Sequence, residues 1–275
     1  MKQSYLDGKD LYADTASKVY NVPYSECLES FGKEGKQRRT NMKSIILGIM
    51  YSRGAKSIAE QLGVTKKEAE GIIKRFNDSF PLVEEFVNEQ LRFCKQNGYI
   101  YTVWGRKCRI PDLRLSQFEF GGEKVDEQTK AEITKELDGI WSRDKRDARI
   151  KFYRTQFGIH IKNNYMKISN ASRQVVNSVI QGSASDMVNE ACVMIYNDKE
   201  FRELGGRLLL TVHDEIIGEA PKANALKALA RMELLMVAAS DKYLSLPMKC
   251  DGVITERWEG NNLKPMLMEE QNETQ

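Results

Sequence analysis

The hydrophobic and polar residues of the first hundred positions recur with helical spacing. They predict helices over residues 11–20, 35–54, 57–62, 65–80 and 82–97. Two of these helices begin with capping-box spacing, in which a hydroxyl residue precedes a glutamate by three positions: Ser57 with Glu60, and Thr65 with Glu68. Gly63 is expected to end the first of these two helices, which covers residues 57–62.

The spacing changes to a period of two at residues 99–110, YIYTVWGRKCRI, which predicts a hairpin that turns near Trp104-Gly105. Later segments predict a helix, a second hairpin, an amphipathic helix and a final strand, at residues 172–196, 208–220, 223–244 and 246–260. Helices that come first and antiparallel strands that come later predict an α+β fold.

Residues 113–169 differ from the rest of the chain by their dense, mixed charge. Such a segment predicts a helical excursion with a solvated surface. The chain is therefore expected to consist of three consecutive segments, at residues 1–112, 113–169 and 170–275.

Charge and cysteine content narrow the class of protein. The 42 basic and 39 acidic residues leave a net charge of only +3, so a nucleic-acid groove would need local clustering of cations. The five cysteines include no C-x-x-C pair, which argues against a disulfide framework or a thiolate zinc site. No apolar run approaches the roughly 18 to 20 residues of a membrane helix. We expect a cytoplasmic protein, in the host cytoplasm if it is viral, with no membrane partner.

A first motif places Arg39, Lys43, Leu47 and Tyr51 at intervals of four on one helix. Each interval turns the face by about 40° and advances it by about 6 Å, so the side chains form one stripe. Cations can bind a polyphosphate at one end of the stripe, and the tyrosine can stack on a base at the other. The alternative is an ordinary amphipathic helix with solvated cations and a buried tyrosine.

A second motif, in residues 172–187, places Arg173, Asn177 and Gln181 on one helical face. Guanidinium and amide groups read base edges and sugar oxygens in a groove. The alternative is that the two amides cap or crosslink neighbouring segments.

A third motif is the stretch LLLTVHDEIIGE, residues 208–219, in which three polar residues interrupt an aliphatic strand. A hairpin that carries His213, Asp214 and Glu215 at its tip would move Asp214 out of the apolar layer and toward a cation such as Mg²⁺. The alternative is a turn in which Asp214 caps its own backbone.

A separate signal, the helix-glycine-helix rhythm of residues 55–76, is also typical of a helix-turn-helix DNA-binding regulator.

In this order, the three motifs resemble the C-terminal part of family A DNA polymerases, the DNA polymerase I type. RRTNMKSIILGIMYSRG, residues 38–54, is similar to the family's fingers-helix motif, R-x-x-x-K-x-x-x-F-x-x-x-Y-G. Residues 173–187 resemble the palm segment that follows the fingers, and residues 208–219 resemble the palm hairpin with its metal-binding aspartate. DGKDLYADTASKVYNVP and MKCDGVITERWEG resemble the family's lead-in and final strand, so the resemblance covers nearly the whole chain.

The resemblance implies a fingers subdomain at residues 1–112, a charged insertion at 113–169 and a C-terminal palm part at 170–275. It implies nucleotidyl transfer from a dNTP to the 3′ end of a primer on a DNA template, with two Mg²⁺ ions. Each motif residue then has an implied role: dNTP binding for Tyr12, Arg39, Lys43, Leu47 and Tyr51; primer-template contact for Arg173, Asn177, Gln181 and His213; metal binding for Asp214; and catalysis for Lys43, Asp214 and Glu215.

The sequence departs from the family pattern at the expected nucleotide site. Leu47 stands where the family usually has Phe or Tyr, Ser52 replaces a glycine, and Tyr12 replaces the usual histidine. Residues 113–169 are longer than the family's connection, which suggests an inserted element that touches DNA or a partner. These losses leave open a non-catalytic nucleic-acid-binding subunit whose metal site is idle.

The family's other metal-binding carboxylate belongs to a strand motif, D-x-S-x-x-E, upstream of the fingers, and nothing in this sequence matches it. Asp14, in DTASKVY, has different spacing and lies on a predicted helix. We therefore expect one half of a split polymerase, as some phage genomes encode, or a truncated form of a whole one. A split polymerase predicts a second polypeptide with the remaining palm and the thumb, and an apolar sheet edge left open near Leu208–Leu210.

Overall fold

The computed structural model describes residues 2–51, 53–122, 125–241, 243–246 and 248–258. Its helices are α1 Lys2–Leu6, α2 Leu11–Tyr20, α3 Lys33–Met50, α4 Ala55–Leu62, α5 Lys66–Ser79, α6 Pro81–Asn97, α7 Glu127–Asp138, α8 Arg143–Phe157, α9 Tyr165–Asn197, α10 Lys199–Glu203 and α11 Ala225–Asp241. Its strands are β1 Tyr99–Tyr101, β2 Lys107–Arg109, β3 Phe118–Gly122, β4 Ile159–Asn163, β5 Arg207–Val212 and β6 Glu215–Glu219. The α+β fold class predicted from the sequence is confirmed.

The helix boundaries follow local chemistry at most of the predicted positions. Thr65 and Glu68 form the predicted capping box at the start of α5, and Gly63 ends α4 with a left-handed φ of 68°. The predicted cap at Ser57 is wrong, because α4 begins two residues earlier at Ala55. The Ser57 N–H already donates to the Gly54 carbonyl, at 3.0 Å, so Ser57 lies inside the first turn.

The strands pair as three separate two-stranded sheets: β1 with β2, β3 with β4, and β5 with β6. Both predicted hairpins are therefore present. The predicted final strand is absent from the described residues 248–258, which form no regular element. Valine and isoleucine in this segment favour a strand, but no described strand pairs with it, and an isolated strand is not stable.

The chain divides into two compact units that draw on non-contiguous segments. Unit 1 contains residues 1–44, 101–106 and 179–275, and unit 2 contains residues 45–100 and 107–178. The division of function among residues 1–112, 113–169 and 170–275 stays a prediction. No helix among the described residues is long and apolar enough to cross a membrane.

The charged excursion forms a small structure with its own core, within unit 2. Strands β3 and β4 pair from Phe118↔Asn163 to Gly122↔Ile159, and the chain between them folds into α7 and α8. Phe118, Ile133, Leu137 and Ile159 are buried together at its centre. The predicted helices of this segment are present, and the sheet that closes it was not predicted.

A second core supports the β5–β6 hairpin within unit 1. Ile195 of α9, Phe201 of α10, and Ala228 and Leu235 of α11 are buried in one cluster. Leu208 and Ile216 of the hairpin pack against this cluster, with Met232 and Met236. The hairpin is thereby anchored at its base, and its turn is left exposed.

Candidate functional site

The cationic end of the α3 stripe packs around one aromatic ring. The Arg39 guanidinium carbon lies 5.6 Å from the centre of the Tyr12 ring, and Lys43 Nζ lies 5.8 Å from it. Both distances are within the range of cation–π attraction. Tyr12, Arg39 and Lys43, which the sequence analysis assigned to a nucleotide, are thus brought together.

Two carboxylates already balance the charge of Arg39. Arg39 Nε donates to Asp10 Oδ2 at 2.8 Å, and Nη1 donates to Glu29 Oε1 at 3.3 Å. The hydrogen bond to Asp10, with the nearby charges of Asp10 and Glu29, raises the pKa of Arg39. Lys43 is exposed and makes no ion pair with another described residue. Neither carboxylate was predicted from the sequence, although the position of Asp10 just before α2 marks it as an N-cap.

The other end of the stripe keeps the predicted spacing. Leu47 is 37% exposed, whereas the preceding Ile45 and Ile46 are buried. Tyr51 follows the end of α3, half-buried, and its N–H donates to the Leu47 carbonyl at 3.0 Å. Ser52, one of the departures from the family pattern, lies outside the described residues.

Helix α9 carries the second motif on its outer face. Asn177 and Gln181 are exposed and Arg173 is half-buried, while Val175, Val176 and Val179 are buried on the other side. Arg173 Nη1 donates to Ser169 Oγ at 2.9 Å, and Nη2 donates to Asn170 Oδ1. Asn177 makes no hydrogen bond with another described residue, so the structure does not use its amide as a crosslink.

The third motif lies at the turn of the β5–β6 hairpin. Val212 pairs with Glu215, so His213 and Asp214 are the two residues of the turn, and His213 has a left-handed φ of 58°. His213, Asp214 and Glu215 are all exposed. Asp214 makes no hydrogen bond or ion pair with another described residue. Asp214 therefore lies outside the core, as expected of a residue at the tip of a hairpin.

The predicted open sheet edge is also present. Leu209 is 51% exposed and Leu210 is 40% exposed. Leu209 has no partner in the register, which passes from Leu208↔Gly218 to Leu210↔Ile217 and so forms a β-bulge. The sheet has two strands, so the outer edge of β5 has no described neighbour.

No metal site is found among the described residues. They contain no group of three or more histidine, cysteine, aspartate or glutamate side chains that could hold a metal ion. Asp214 and the adjacent Glu215 supply exposed oxygens at one place, and Mg²⁺ is commonly held by one or two carboxylates with waters and substrate phosphates. The donor set fits one ligand position of such a site and is too small for two ions.

Asp14 is a structural residue, as its sequence context suggested. Its carboxylate is buried on α2 and accepts hydrogen bonds from Ser4 Oγ and Lys18 Nζ, each at 2.6 Å. Burial raises the pKa of Asp14, but these hydrogen bonds outweigh burial, so the net pKa is lowered. A carboxylate bound in this way has no free oxygen pair to offer a metal.

A network that the sequence analysis missed fixes α9 to the turn of the first hairpin, within unit 1. Arg106 Nε donates to Asp186 Oδ1 at 2.6 Å, and Nη2 donates to the Gly182 carbonyl at 3.1 Å. The Val103 N–H donates to Ser183 Oγ at 2.9 Å. An acidic residue within the apolar stripe of α9 was the available signal for Asp186. The network holds the helix immediately after Gln181.

Comparisons with known proteins agree with the resemblance seen in the motifs. A family model described as DNA polymerase family A matches residues 1–260. The chain is 26% identical to DNA polymerase I of Borreliella burgdorferi over 93% of the chain and 22% of that protein. It is 27% identical to the thermostable DNA polymerase I of Thermus aquaticus over 92% of the chain and 24% of that protein. The chain spans about a quarter of the length of these relatives.

A solved structure shares the fold. The polymerase domain of Pol1 from M. smegmatis, solved in complex with DNA primer-template and dNTP, superposes with a TM-score of 0.61. The match covers 90% of this chain and 34% of that chain, at 21% sequence identity.

Proposed function

Because the chain belongs to DNA polymerase family A, we propose that it takes part in template-directed DNA synthesis, as the part that binds the incoming nucleotide and supplies one metal-binding aspartate. The observation that carries the proposal is Asp214, exposed at a two-residue turn and without an ion pair to any described residue. A carboxylate in that position is available to a cation from solution.

The proposed reaction is nucleotidyl transfer. The 3′ oxygen of a primer forms a bond to the α-phosphorus of a dNTP, and the bond from that phosphorus to the departing pyrophosphate breaks in line. Lys43 and Arg39 bind the triphosphate, Tyr12 supports both cations, and Leu47 and Tyr51 lie beside the sugar and the templating base. Lys43 also offsets the negative charge that develops on the phosphates.

The second motif and the hairpin tip hold the nucleic acid. Arg173, Asn177 and Gln181 contact the primer-template, and His213 and Glu215 lie beside the primer end. Asp214 would hold Mg²⁺, which activates the attacking oxygen and stabilises charge on the leaving group when bound. The exposed amide of Asn177 and the carboxylate of Asp214, which pairs with no described residue, support these assignments.

We further propose that a second polypeptide supplies the carboxylate that completes the two-ion site, together with the remaining palm strands and the thumb. The 275 residues contain no match to D-x-S-x-x-E, so in this proposal the carboxylate of that motif comes from outside them. The open edge of β5, where Leu209 and Leu210 are exposed, offers a place for additional strands.

Primer extension tests both parts of the proposal. The purified chain is assayed alone, and then with a polypeptide that carries the D-x-S-x-x-E motif and a thumb. We expect extension only in the mixture, and none when the aspartate of that motif is changed to alanine. Robust synthesis by the chain alone would contradict the need for a second polypeptide. No synthesis in any mixture, from a chain that is folded and binds the other polypeptide, would contradict DNA synthesis itself.

A non-catalytic nucleic-acid-binding subunit is the second candidate. The pairing of Arg39 with Asp10 and Glu29 favours it, because the guanidinium is already engaged. An unchanged extension rate after Asp214→Ala in the complete mixture would support this candidate. The helix-turn-helix regulator is not proposed, since residues 55–76 fall within the family match.

A further inference from the structure

We propose that Arg106 is a positioning residue for the primer-template, which acts through Gln181 of α9 and does not itself contact a reacting atom. The inference rests on the proposed function, in which Gln181 contacts the primer-template. Arg106 lies in the turn between β1 and β2, and Gln181 lies near the middle of the 33-residue helix α9. Residues 101–106 and 179–197 all belong to unit 1.

The turn that carries Arg106 is closed by its own hydrogen bonds. The Thr102 N–H donates to the Arg106 carbonyl at 2.9 Å, and the Arg106 N–H donates to Thr102 Oγ1 at 3.1 Å. Thr102 is buried, and the Trp104 ring packs against the Tyr243 ring with the two ring centres 4.6 Å apart. A turn that is fixed in this way can hold a second element in place.

Three hydrogen bonds join this turn to the part of α9 that directly follows Gln181. Two come from the Arg106 guanidinium, to Asp186 Oδ1 at 2.6 Å and to the Gly182 carbonyl at 3.1 Å. The third joins a backbone N–H of the turn to a hydroxyl of α9, at 2.9 Å. Neighbouring helical residues are about 100° apart around the axis, so the turn holds one side of α9 while Gln181 is exposed beside it.

The turn and the helix approach each other more closely than a side chain at position 182 would allow. A Cβ atom on Gly182 would lie 3.0 Å from Thr102 Cγ2 and 3.3 Å from Arg106 Nη2. Glycine inside a helix is unfavourable relative to alanine, because it loses more backbone entropy on folding. The close contact with the turn is a physical reason for glycine directly after Gln181.

The ion pair between Arg106 and Asp186 specifies geometry more than it stabilises the fold. Asp186 is 9% exposed, and its Oδ2 atom is buried without a hydrogen bond to any described residue. Burial of a carboxylate costs free energy that one ion pair does not fully offset, so apolar residues in the same place are often at least as stabilising. The planar guanidinium, in contrast, reaches Asp186 and the Gly182 carbonyl at the same time and so fixes the position of α9.

The alternative role for Arg106 is an anchor of the fold alone. An anchor predicts that the affinity for DNA falls only when the thermal midpoint of unfolding falls. A positioning residue predicts that the affinity falls while the thermal midpoint is kept, and that the loss depends on Gln181.

The double variant Arg106→Met/Asp186→Leu separates these roles, because it replaces both charges with apolar side chains of related shape. Its thermal midpoint should be at least that of the parent. The Kd for a labelled primer-template duplex is measured with the full chain by fluorescence anisotropy, without dNTP or Mg²⁺. It should rise about 2- to 12-fold, the effect of one lost hydrogen bond.

Gln181→Ala in both backgrounds completes the cycle. In the parent it should raise the Kd by the same factor, and in the double variant it should change the Kd by less than about 2-fold, because the contact is already lost. An equal effect of Gln181→Ala in both backgrounds would overturn the positioning role alone. No effect on the parent, or no binding by the parent, would contradict the proposed contact of Gln181 and the positioning role with it.

Gly182→Ala is an independent test that keeps both charges. Its Cβ atom forces the turn or the helix to move by a few tenths of an ångström, so the affinity for the duplex should fall although alanine favours a helix. Gly71→Ala within α5 is the matched control, since the nearest side-chain atom to its Cβ is Arg75 Nη1 at 3.7 Å. This control should raise the thermal midpoint and leave the Kd unchanged. An unchanged Kd in folded Gly182→Ala would overturn the proposal, and this variant decides if the double variant does not fold.

Discussion

The Asp214 carboxylate and the Arg39 guanidinium differ in how far the described residues balance their charge. Asp214 is exposed at the β5–β6 turn with no ion pair, whereas Arg39 is half-buried between Asp10 and Glu29. An unbalanced carboxylate can accept a metal ion at little cost. Under the proposed function, the Arg39 guanidinium exchanges two anionic partners for a triphosphate, so part of the binding energy is lost to that competition.

The largest expected effect comes from Asp214. In the complete polymerase mixture, Asp214→Ala should reduce the rate of primer extension by about 10³-fold or more, since a lost metal ligand removes several kcal/mol of transition-state stabilisation. Because Asp214 is exposed and makes no hydrogen bond or ion pair with another described residue, the free energy of unfolding should change by less than about 0.5 kcal/mol. Asp78→Ala, at another exposed aspartate without a described ion pair, is the matched control and should leave extension unchanged. If Asp214→Ala lowered both the free energy of unfolding and the rate of extension, the Asp214 carboxylate would be engaged in the fold, as the Arg39 guanidinium is.

Asp14 can be compared directly with Asp214, because it is an aspartate whose charge is balanced by described neighbours. Because the pKa of Asp14 is lowered in the folded protein, its carboxylate stabilises the fold at pH values above 3.8, its ordinary pKa. This stabilisation is lost as the pH falls through the lower pKa of the folded state. Asp14→Asn should lower the free energy of unfolding at pH 7 by about 2 kcal/mol. The difference from the parent should shrink below about pH 4. Urea titrations of the parent, Asp14→Asn and Asp214→Asn at pH 7 and below about pH 4 measure these free energies of unfolding. A difference between Asp14→Asn and the parent that is as large at low pH as at pH 7 would contradict the prediction.

The smallest effect is expected from releasing Arg39. The double variant Asp10→Asn/Glu29→Gln removes both charges, and asparagine at position 10 keeps an N-cap for α2. Partly exposed ion pairs contribute about 0.2–1 kcal/mol each, so the loss of two should lower the Kd for a dNTP about 2- to 30-fold. Glu26→Gln is the control, since Glu26 pairs with Arg38 instead. A weaker affinity in the double variant would show that the two carboxylates position Arg39 for the triphosphate and do not compete with it.

The sequence was most informative where structure depends on neighbouring residues. The Thr65 capping box, the Gly63 helix end and the hairpin with His213, Asp214 and Glu215 near its tip follow from local spacing, and the structure contains all three. The sequence was least informative where distant residues pair. Asp10 and Arg39 are separated by 29 positions, and Arg106 and Asp186 by 80, so no spacing rule connects them.

The predictions that were wrong have the same cause. Residues 248–258 have the composition of a strand, but a strand also needs a partner, and composition does not supply one. Ser57 has the residue type of a cap, but the first turn of α4 had already begun at Ala55. The roles of Arg173, Asn177 and Gln181 rest on the family resemblance and stay proposals.

The two-stranded β5–β6 sheet has a consequence for amide hydrogen exchange. In an antiparallel pair about half of the backbone amides point away from the partner strand. The outward amides of β5, next to the bulged Leu209, therefore exchange with solvent without prior unfolding. The amides that are hydrogen-bonded to β6 exchange only after the hairpin opens. Deuterium uptake at this one strand thus distinguishes an edge that remains open from one on which another strand has docked.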